Sequence, residues 1–199
     1  RSTLFPYTTL FRSLVETMGA LAQAVRSGKA LYVGLSNYDG EHLRQAEAIL
    51  RAERIPFIIN QNRYSIFDRT IEHNGLKETS FTLGKGIIAF CPLAQGLLTD
   101  RYLNGIPTDS RIRTDGRFLN EHAINEETLQ KIRALNNIAL ERGQTLAEMA
   151  LAWILRDGKV TSVLIGASKT SQILANIKAL NHTTFTEEEL KKIDAVTLK

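Results

Sequence analysis

The stretch that decides the fold is ALYVGLSNYDGEHLRQAEAILRAERIPFIINQ, Ala30–Gln61. Its first six residues are a short apolar run bounded by turn formers, which predicts a strand over Ala30–Leu35 buried on both faces and ending in Ser36-Asn37. Leu43, Ala46 and Ile49-Leu50 then recur at helical spacing between Glu41 and Glu53. Pro56-Phe57-Ile58-Ile59-Asn60-Gln61 reads as a second strand, with proline at a start where its missing N–H does no harm. Strand, helix, strand in that order and at that length is a βαβ unit, and it predicts a parallel sheet.

The pattern continues on both sides. Leu14-Val15, Met18, Leu21-Ala22 and Val25 form a helical stripe that stops at Ser27-Gly28, with Gly28 as its C-terminal cap. Gly75–Thr82 predicts a shorter helix and Gly86–Phe90 a third strand. The polar segment 103–125, which holds Gly105, Pro107, Asp109 and Gly116, predicts a long loop. A helix follows from Asn125-Glu126-Glu127 to Arg142-Gly143. Thr145-Leu146-Ala147-Glu148 is a capping box that opens another, with Leu146, Met149-Ala150, Trp153 and Ile154 on its apolar face. Val160–Ile165 predicts a fourth strand and Ser171–Leu180 a final helix. Four strands fit either a small open α/β domain or half of a closed barrel, and an open sheet would leave two apolar edges to be covered.

Composition excludes several classes. In 199 residues, 43% hydrophobic and 23% charged residues describe a globular chain of one or two domains. The formal charge of +4 is spread among 21 acidic residues with no basic block, so no nucleic-acid partner is expected. The single cysteine rules out an internal disulfide and fits a reducing, cytoplasmic setting. No apolar run reaches the roughly 18 residues of a membrane span, and no metal-ligand spacing is present.

The first thirteen residues, RSTLFPYTTLFRS, stand apart. Pro6-Tyr7-Thr8-Thr9 interrupts the apolar run a secretory signal needs, and Pro6 opposes the amphipathic helix of a mitochondrial presequence. The stretch resembles the conceptual translation of a sequencing-library adapter, so residues 1–13 are expected to be non-native and 14–199 to be the biological sequence. Without Arg1 and Arg12 the formal charge of +4 falls by two.

Three segments carry a family resemblance: GKALYVGLSNY (Gly28–Tyr38), AFCPLAQGLLTDRYLNGIPTDSR (Ala89–Arg111) and TSVLIGASKTSQILANIKAL (Thr161–Leu180). In order and spacing they resemble the aldo-keto reductase superfamily, nearest to the branch that holds L-glyceraldehyde 3-phosphate reductases and potassium-channel β subunits. The resemblance implies an α/β fold that is an incomplete (β/α)8 TIM barrel, strands five to eight with their helices, binding NADP(H) at the carboxyl ends of its strands.

It also implies a set of cofactor contacts. Ser36, Asn37 and Gln61 match the residues that bond the nicotinamide carboxamide, a group that needs both donors and acceptors. Phe90 matches the aromatic that stacks on the nicotinamide. Cys91, Pro92, Leu93, Ala94, Gln95 and Gly96 to Leu98 match the turn around the pyrophosphate, and Cys91 is read as a small neutral filler. Arg101 and Arg111 match basic positions near the phosphates. Gly166, Ser168, Gln172 and Asn176 match the group at the start of the last helix that contacts the 2′-phosphate and adenine, where helix-start amides favour an anion. Lys169 would add charge there.

Two positions depart from the pattern: Asp109 replaces an aromatic found in some relatives, and Ala175 stands where Glu is frequent, which removes one adenine contact.

The family's Tyr, Lys, Asp and His of proton transfer lie on the first half of the barrel and have no counterpart here, so no catalytic residue is assigned. Tyr7 belongs to the adapter-like stretch and Tyr32 to the predicted buried strand. Tyr38 follows the Ser-Asn pair, Tyr64 and Tyr102 lack Asp, Lys and His partners at family spacing, and His42, His73, His122 and His182 read as surface residues. The expected parent is an NADP(H)-dependent reductase of small aldehydes or ketones, glyceraldehyde 3-phosphate among them, with its oligomeric state open. The alternative is a cofactor-binding regulatory subunit of the channel-β type. The 199-residue chain itself is expected to be inactive.

Overall fold

The computed structural model describes residues 13–103 and 124–198. Residues 1–12, with the adapter-like stretch up to Arg12, lie outside them, as do Asp109, Arg111, His122 and nearly all of the predicted long loop.

The elements alternate as the βαβ reading requires. They are α1 (Leu14–Arg26), β1 (Val33–Ser36), α2 (Gly40–Ala52), β2 (Phe57–Arg63), α3 (Thr70–His73), α4 (Leu76–Thr82), β3 (Gly86–Phe90), α5 (Glu126–Glu141), α6 (Leu146–Leu155), β4 (Ser162–Val163), α7 (Thr170–Ile177) and α8 (Glu187–Thr197). Short 3-10 turns occupy Ala94–Gly96, Asp100–Tyr102 and Lys178–Asn181. The four strands form a parallel sheet in sequence order, β1-β2-β3-β4, and β1 pairs with β2 from Val33↔Phe57 to Ser36↔Gln61.

The chain divides into two compact units, one of residues up to Asn62 with Thr70–Ile88, the other of Arg63–Arg69 with Ala89–Lys199. In the first, Met18 and Ala22 of α1, Leu43, Ala46 and Leu50 of α2, Phe57 of β2, Leu76 of α4 and Ile87 of β3 are buried. These are the apolar stripes visible in the sequence. Ser13 caps α1 in a reciprocal box with Glu16, and Asp39 caps α2 through the His42 amide.

In the second unit α5 and α6 bury Ile132, Leu135, Met149 and Trp153. Leu151, Ala152 and Ala179 form a small cluster against which Leu93, Val163, Ile165 and Phe185 pack. The Thr145–Glu148 box opens α6 as expected.

Three expectations need correction. Leu31 and Tyr32 are 79% and 59% exposed and precede the strand, so Tyr32 is not buried. β1 itself alternates buried and exposed residues, so one of its faces is covered and the other is not. β4 keeps only Ser162–Val163 of the predicted six residues, although Leu164 N–H still donates to the Ala89 carbonyl at 2.8 Å. The helix α8 was not anticipated, although Thr186 and Glu189 form the same kind of box as Thr145 and Glu148.

One close approach in the first unit is testable. Gly40 opens α2 and donates to the Asn74 carbonyl at 3.1 Å. A Cβ on Gly40 would stand 2.6 Å from the Gly75 carbonyl oxygen and 2.8 Å from Thr79 Oγ1. Backbone cannot yield as a flexible side chain can, so Gly40→Ala is expected to cost about 2 kcal/mol, read as a lowered urea midpoint at unchanged slope. An unchanged midpoint would mean the helices separate freely.

Candidate functional site

Of the expected contacts, Ser36, Asn37, Phe90 and Cys91 fall at or just past the carboxyl ends of strands. In the first unit Ser36 is the last residue of β1 and Asn37 the next. Ser36 Oγ donates to the Gln61 backbone carbonyl at 3.0 Å, and Asn37 N–H donates to the same oxygen at 3.0 Å. One carbonyl of β2 therefore gathers Ser36, Asn37 and Gln61. Ser36 and Asn37 are exposed and Gln61 is half-buried, so their polar side chains are within reach of a ligand.

Asn37 has φ 61°, in the left-handed region. Asparagine tolerates this better than most residues, yet the conformation persists only where the surroundings impose it. Tyr38, next in the chain, is buried, and burial pushes its phenol up from the ordinary range. It stays neutral at physiological pH.

In the second unit, β3 ends at the half-buried Phe90, whose carbonyl accepts Tyr64 N–H at 3.3 Å. The chain then turns through Cys91 at φ 54°, Ala94 at φ 47°, Gln95 at φ 62° and Gly96 at φ 98°. Five described residues other than glycine have positive φ, and four of them, Asn37, Cys91, Ala94 and Gln95, lie just past a strand end; the fifth, Arg54, follows a helix. Such strain gathers where a backbone shape is needed for a task.

The turn closes on itself. Ala94 N–H donates to Cys91, Gly96 and Leu98 N–H to Leu93, and Leu97 N–H to Ala94. Those amides are engaged within the loop, which is pre-shaped by its own bonds. Pro92 is buried, and the Cys91 thiol is free and half-buried. Arg101 is exposed, in the 3-10 turn that Thr99 caps. Arg111 lies outside the described residues.

Gly166 and Ser168 lie in the exposed link between β4 and α7, Gln172 is exposed in the first turn of α7, and Asn176 is half-buried in its last. Gln172 Oε1 accepts from Ser168 N–H at 2.8 Å, Lys169 N–H at 3.2 Å and Ser168 Oγ at 3.3 Å. The Gln172 side chain thus covers the helix-start amides that an anion would use.

His42, His73 and His182 are exposed, as expected. Among the described residues no cluster of three or more His, Cys, Asp or Glu side chains is placed to hold a metal, and no helix is long and apolar enough to cross a membrane. Sequence reasoning overlooked Asn60 and Asn62, both buried. Their i, i+2 spacing on a strand, which puts two amides on one face, was the available signal.

Known proteins are similar to this chain in sequence and in fold. L-Glyceraldehyde 3-phosphate reductase of Escherichia coli (strain K12) is 50% identical over 182 residues, 90% of this chain and 53% of that protein. A probable voltage-gated potassium channel subunit beta of Oryza sativa subsp. japonica is 34% identical over 185 residues, 91% of this chain and 56% of that one. Among solved structures, a thermostable aldo-keto reductase in complex with the inhibitor epalrestat superposes with a TM-score of 0.68 at 28% identity, over 93% of this chain and 55% of its own. The chain spans about half the length of the curated relatives it matches. The sequence profile of the aldo/keto reductase family matches residues 4–197. With the strand order, the polar strand ends and this match over nearly its whole length in agreement, the chain belongs to the aldo/keto reductase family.

Proposed function

We propose that residues 14–199 are the C-terminal half of an NADP(H)-dependent aldo-keto reductase barrel, strands five to eight, and that they carry much of its cofactor grip without its proton-transfer residues. The observation that carries this is the left-handed backbone at Asn37, Cys91, Ala94 and Gln95, all just past the carboxyl ends of strands. Parallel α/β proteins bind their ligands at those ends.

Each unit carries side chains of the kind that the cofactor's nicotinamide end needs. Ser36 spends its proton on Gln61 and keeps lone pairs to accept from a carboxamide, while exposed Asn37 offers both a donor and an acceptor. Half-buried Phe90 leaves part of its ring for stacking. At the phosphate end, a 2′-phosphate reaching the amides of Ser168 and Lys169 would displace Gln172 Oε1. Arg101 and Arg111 would then supply charge, as fork-shaped guanidinium groups do for phosphate oxygens. Bound NADPH supplies the hydride that reduces a carbonyl.

Exposed apolar residues support the half-barrel reading. α7 has no buried residue and exposes Ile173, Leu174 and Ile177, with Leu180 following and Leu164 beside β4. A first half of the barrel would cover such a stripe. The identity of 50% to the glyceraldehyde 3-phosphate reductase against 34% to the channel subunit favours the enzyme over the regulatory subunit. The substrate class that follows is a small aldehyde or ketone, glyceraldehyde 3-phosphate first among them, handled in the cytoplasm.

The test is a fluorescence titration of the 199-residue chain with NADPH beside an assay of NADPH oxidation with glyceraldehyde 3-phosphate. Binding without turnover is expected, with Phe90→Ala weakening binding about tenfold, the loss of one stacking contact. Turnover above a heat-killed control would overturn the half-barrel reading. Failure to bind NADPH would overturn the cofactor assignment.

A further inference from the structure

We propose that Asn62 is a positioning residue, a buried amide that holds the strained Asn37 backbone in place for the cofactor's carboxamide; this rests on the cofactor reading above. Side chains alternate along β2, so Asn60 and Asn62 share a face opposite Gln61. Both are buried, Asn60 completely. Asn60 Nδ2 donates to Asn62 Oδ1, which orients the second amide, and Asn62 Nδ2 donates to the Tyr38 backbone carbonyl at 3.2 Å.

Asn37 is therefore gripped on both sides by one strand. Its own N–H is held by the Gln61 carbonyl, and the carbonyl of the following residue is held by the Asn62 side chain. Beyond Tyr38, Asp39 anchors the chain again by capping α2 through the His42 amide at 2.8 Å. A left-handed non-glycine residue stays so only while such bonds over-determine it. Without the Asn62 bond, the Tyr38 peptide is free to turn and Asn37 relaxes toward negative φ, which carries its side chain away from the place a carboxamide would meet it.

The amide pair is costly in a way that points to a task. Asn60 Oδ1 is buried with no hydrogen-bond partner among the described residues. Two apolar side chains at 60 and 62 would pack a strand face without leaving an acceptor unpaired. What they could not do is hold the Tyr38 carbonyl.

The experiment compares Asn62→Leu, Asn37→Ala and the double variant in the full 199-residue chain. Asn62→Leu keeps the branched shape and removes the donor, together with the acceptor of Asn60 Nδ2. NADPH titration is expected to show each single variant binding about tenfold more weakly, and the double variant within about twofold of Asn37→Ala, because Asn62 acts through Asn37. Losses that multiply to about a hundredfold would overturn the proposal.

A second arm needs no cofactor. The Asn37 Cα and Cβ chemical shifts, which report the left-handed conformation, are expected to move to extended values in Asn62→Leu, and unmoved shifts would overturn the proposal. If the wild-type chain fails to bind NADPH, the cofactor reading falls and these shifts alone decide whether Asn62 holds Asn37. Should Asn62→Leu not fold, Asn62→Ala takes its place in both arms.

Discussion

Trp153→Ala is expected to lower the unfolding free energy by about 3–5 kcal/mol, the range for emptying a fully buried aromatic site, read as a fall in urea midpoint. Trp153 lies in α6 with no exposed surface. The guanidinium of Arg156 sits 3.7 Å from its ring centroid and that of Arg69 4.6 Å, while the Tyr64 ring is 5.4 Å away. The cations are held independently of the ring. Arg156 Nη1 donates to Tyr64 Oη at 3.0 Å and to the Trp153 carbonyl at 2.7 Å. Arg69 reaches Asp194 Oδ1 at 2.7 Å and Thr197 Oγ1 at 2.9 Å in α8. The indole is the surface they share, and removing it opens a void beside two charges.

Trp153→Phe separates volume from polarity. The indole Nε1–H is buried without a hydrogen-bond partner among the described residues, so deleting it leaves no group newly unpaired. The Phe variant is expected to lose about 1–2 kcal/mol, a partial cavity, well short of the Ala variant. Equal losses in the two variants would show that the N–H carries the effect.

The architecture was legible because helical and strand periods differ and caps mark their boundaries. Thr145-x-x-Glu148 announced α6, and the strand-helix-strand run from Ala30 to Gln61 announced the parallel pairing of β1 with β2. Strand extent was not legible. Apolar runs at Ala30–Leu35 and Val160–Ile165 look alike whether or not a neighbour covers them, and in the structure Leu31, Tyr32 and Leu164 are exposed.

α8 carries only a weak apolar signal, since Glu187, Glu188, Glu189, Lys191 and Lys192 lead up to its one buried residue, Ile193. The candidate site was legible only as residue types in order. That Asn37, Cys91, Ala94 and Gln95 adopt positive φ could not be read from residues with no local need for it. Around Asn37 the partners are distant in sequence, the Gln61 carbonyl on its N–H and the Asn62 amide on the Tyr38 carbonyl, whereas the turn at Cys91–Gln95 closes on its own bonds.

Arg142→Ala is expected to cost about 3 kcal/mol at pH 7, because one buried guanidinium ties four groups together. Its side chain is 1% exposed and forms an ion pair with Glu189 at 2.5 Å. Its Nε donates to Gln144 Oε1 at 3.0 Å and its Nη2 to the Thr184 carbonyl at 3.0 Å, and it lies 3.7 Å over the Phe185 ring. Glu189 in turn closes the box that caps α8, accepting Thr186 N–H at 2.7 Å. The end of α5 and the start of α8 thus meet at one residue. Arg142→Lys is expected to lose much of the same energy, since an ammonium cannot reproduce the planar fork.

The pH dependence follows from Glu189. Burial pushes its carboxyl up, but the Thr186 N–H and the Arg142 guanidinium outweigh this and hold it below the ordinary carboxylate range. A carboxyl lowered by folding stabilises the native state above its unfolded value of about 4.3 and loses that contribution as pH falls through its folded value. The stability gap between wild type and Arg142→Ala is therefore expected to narrow between pH 7 and pH 3. It does not close, because the bonds to Gln144 and Thr184 and the contact with Phe185 do not depend on Glu189 being charged. Urea midpoints of both proteins at the two pH values measure it. A gap of the same size at pH 3 would mean that the ion pair contributes nothing beyond packing.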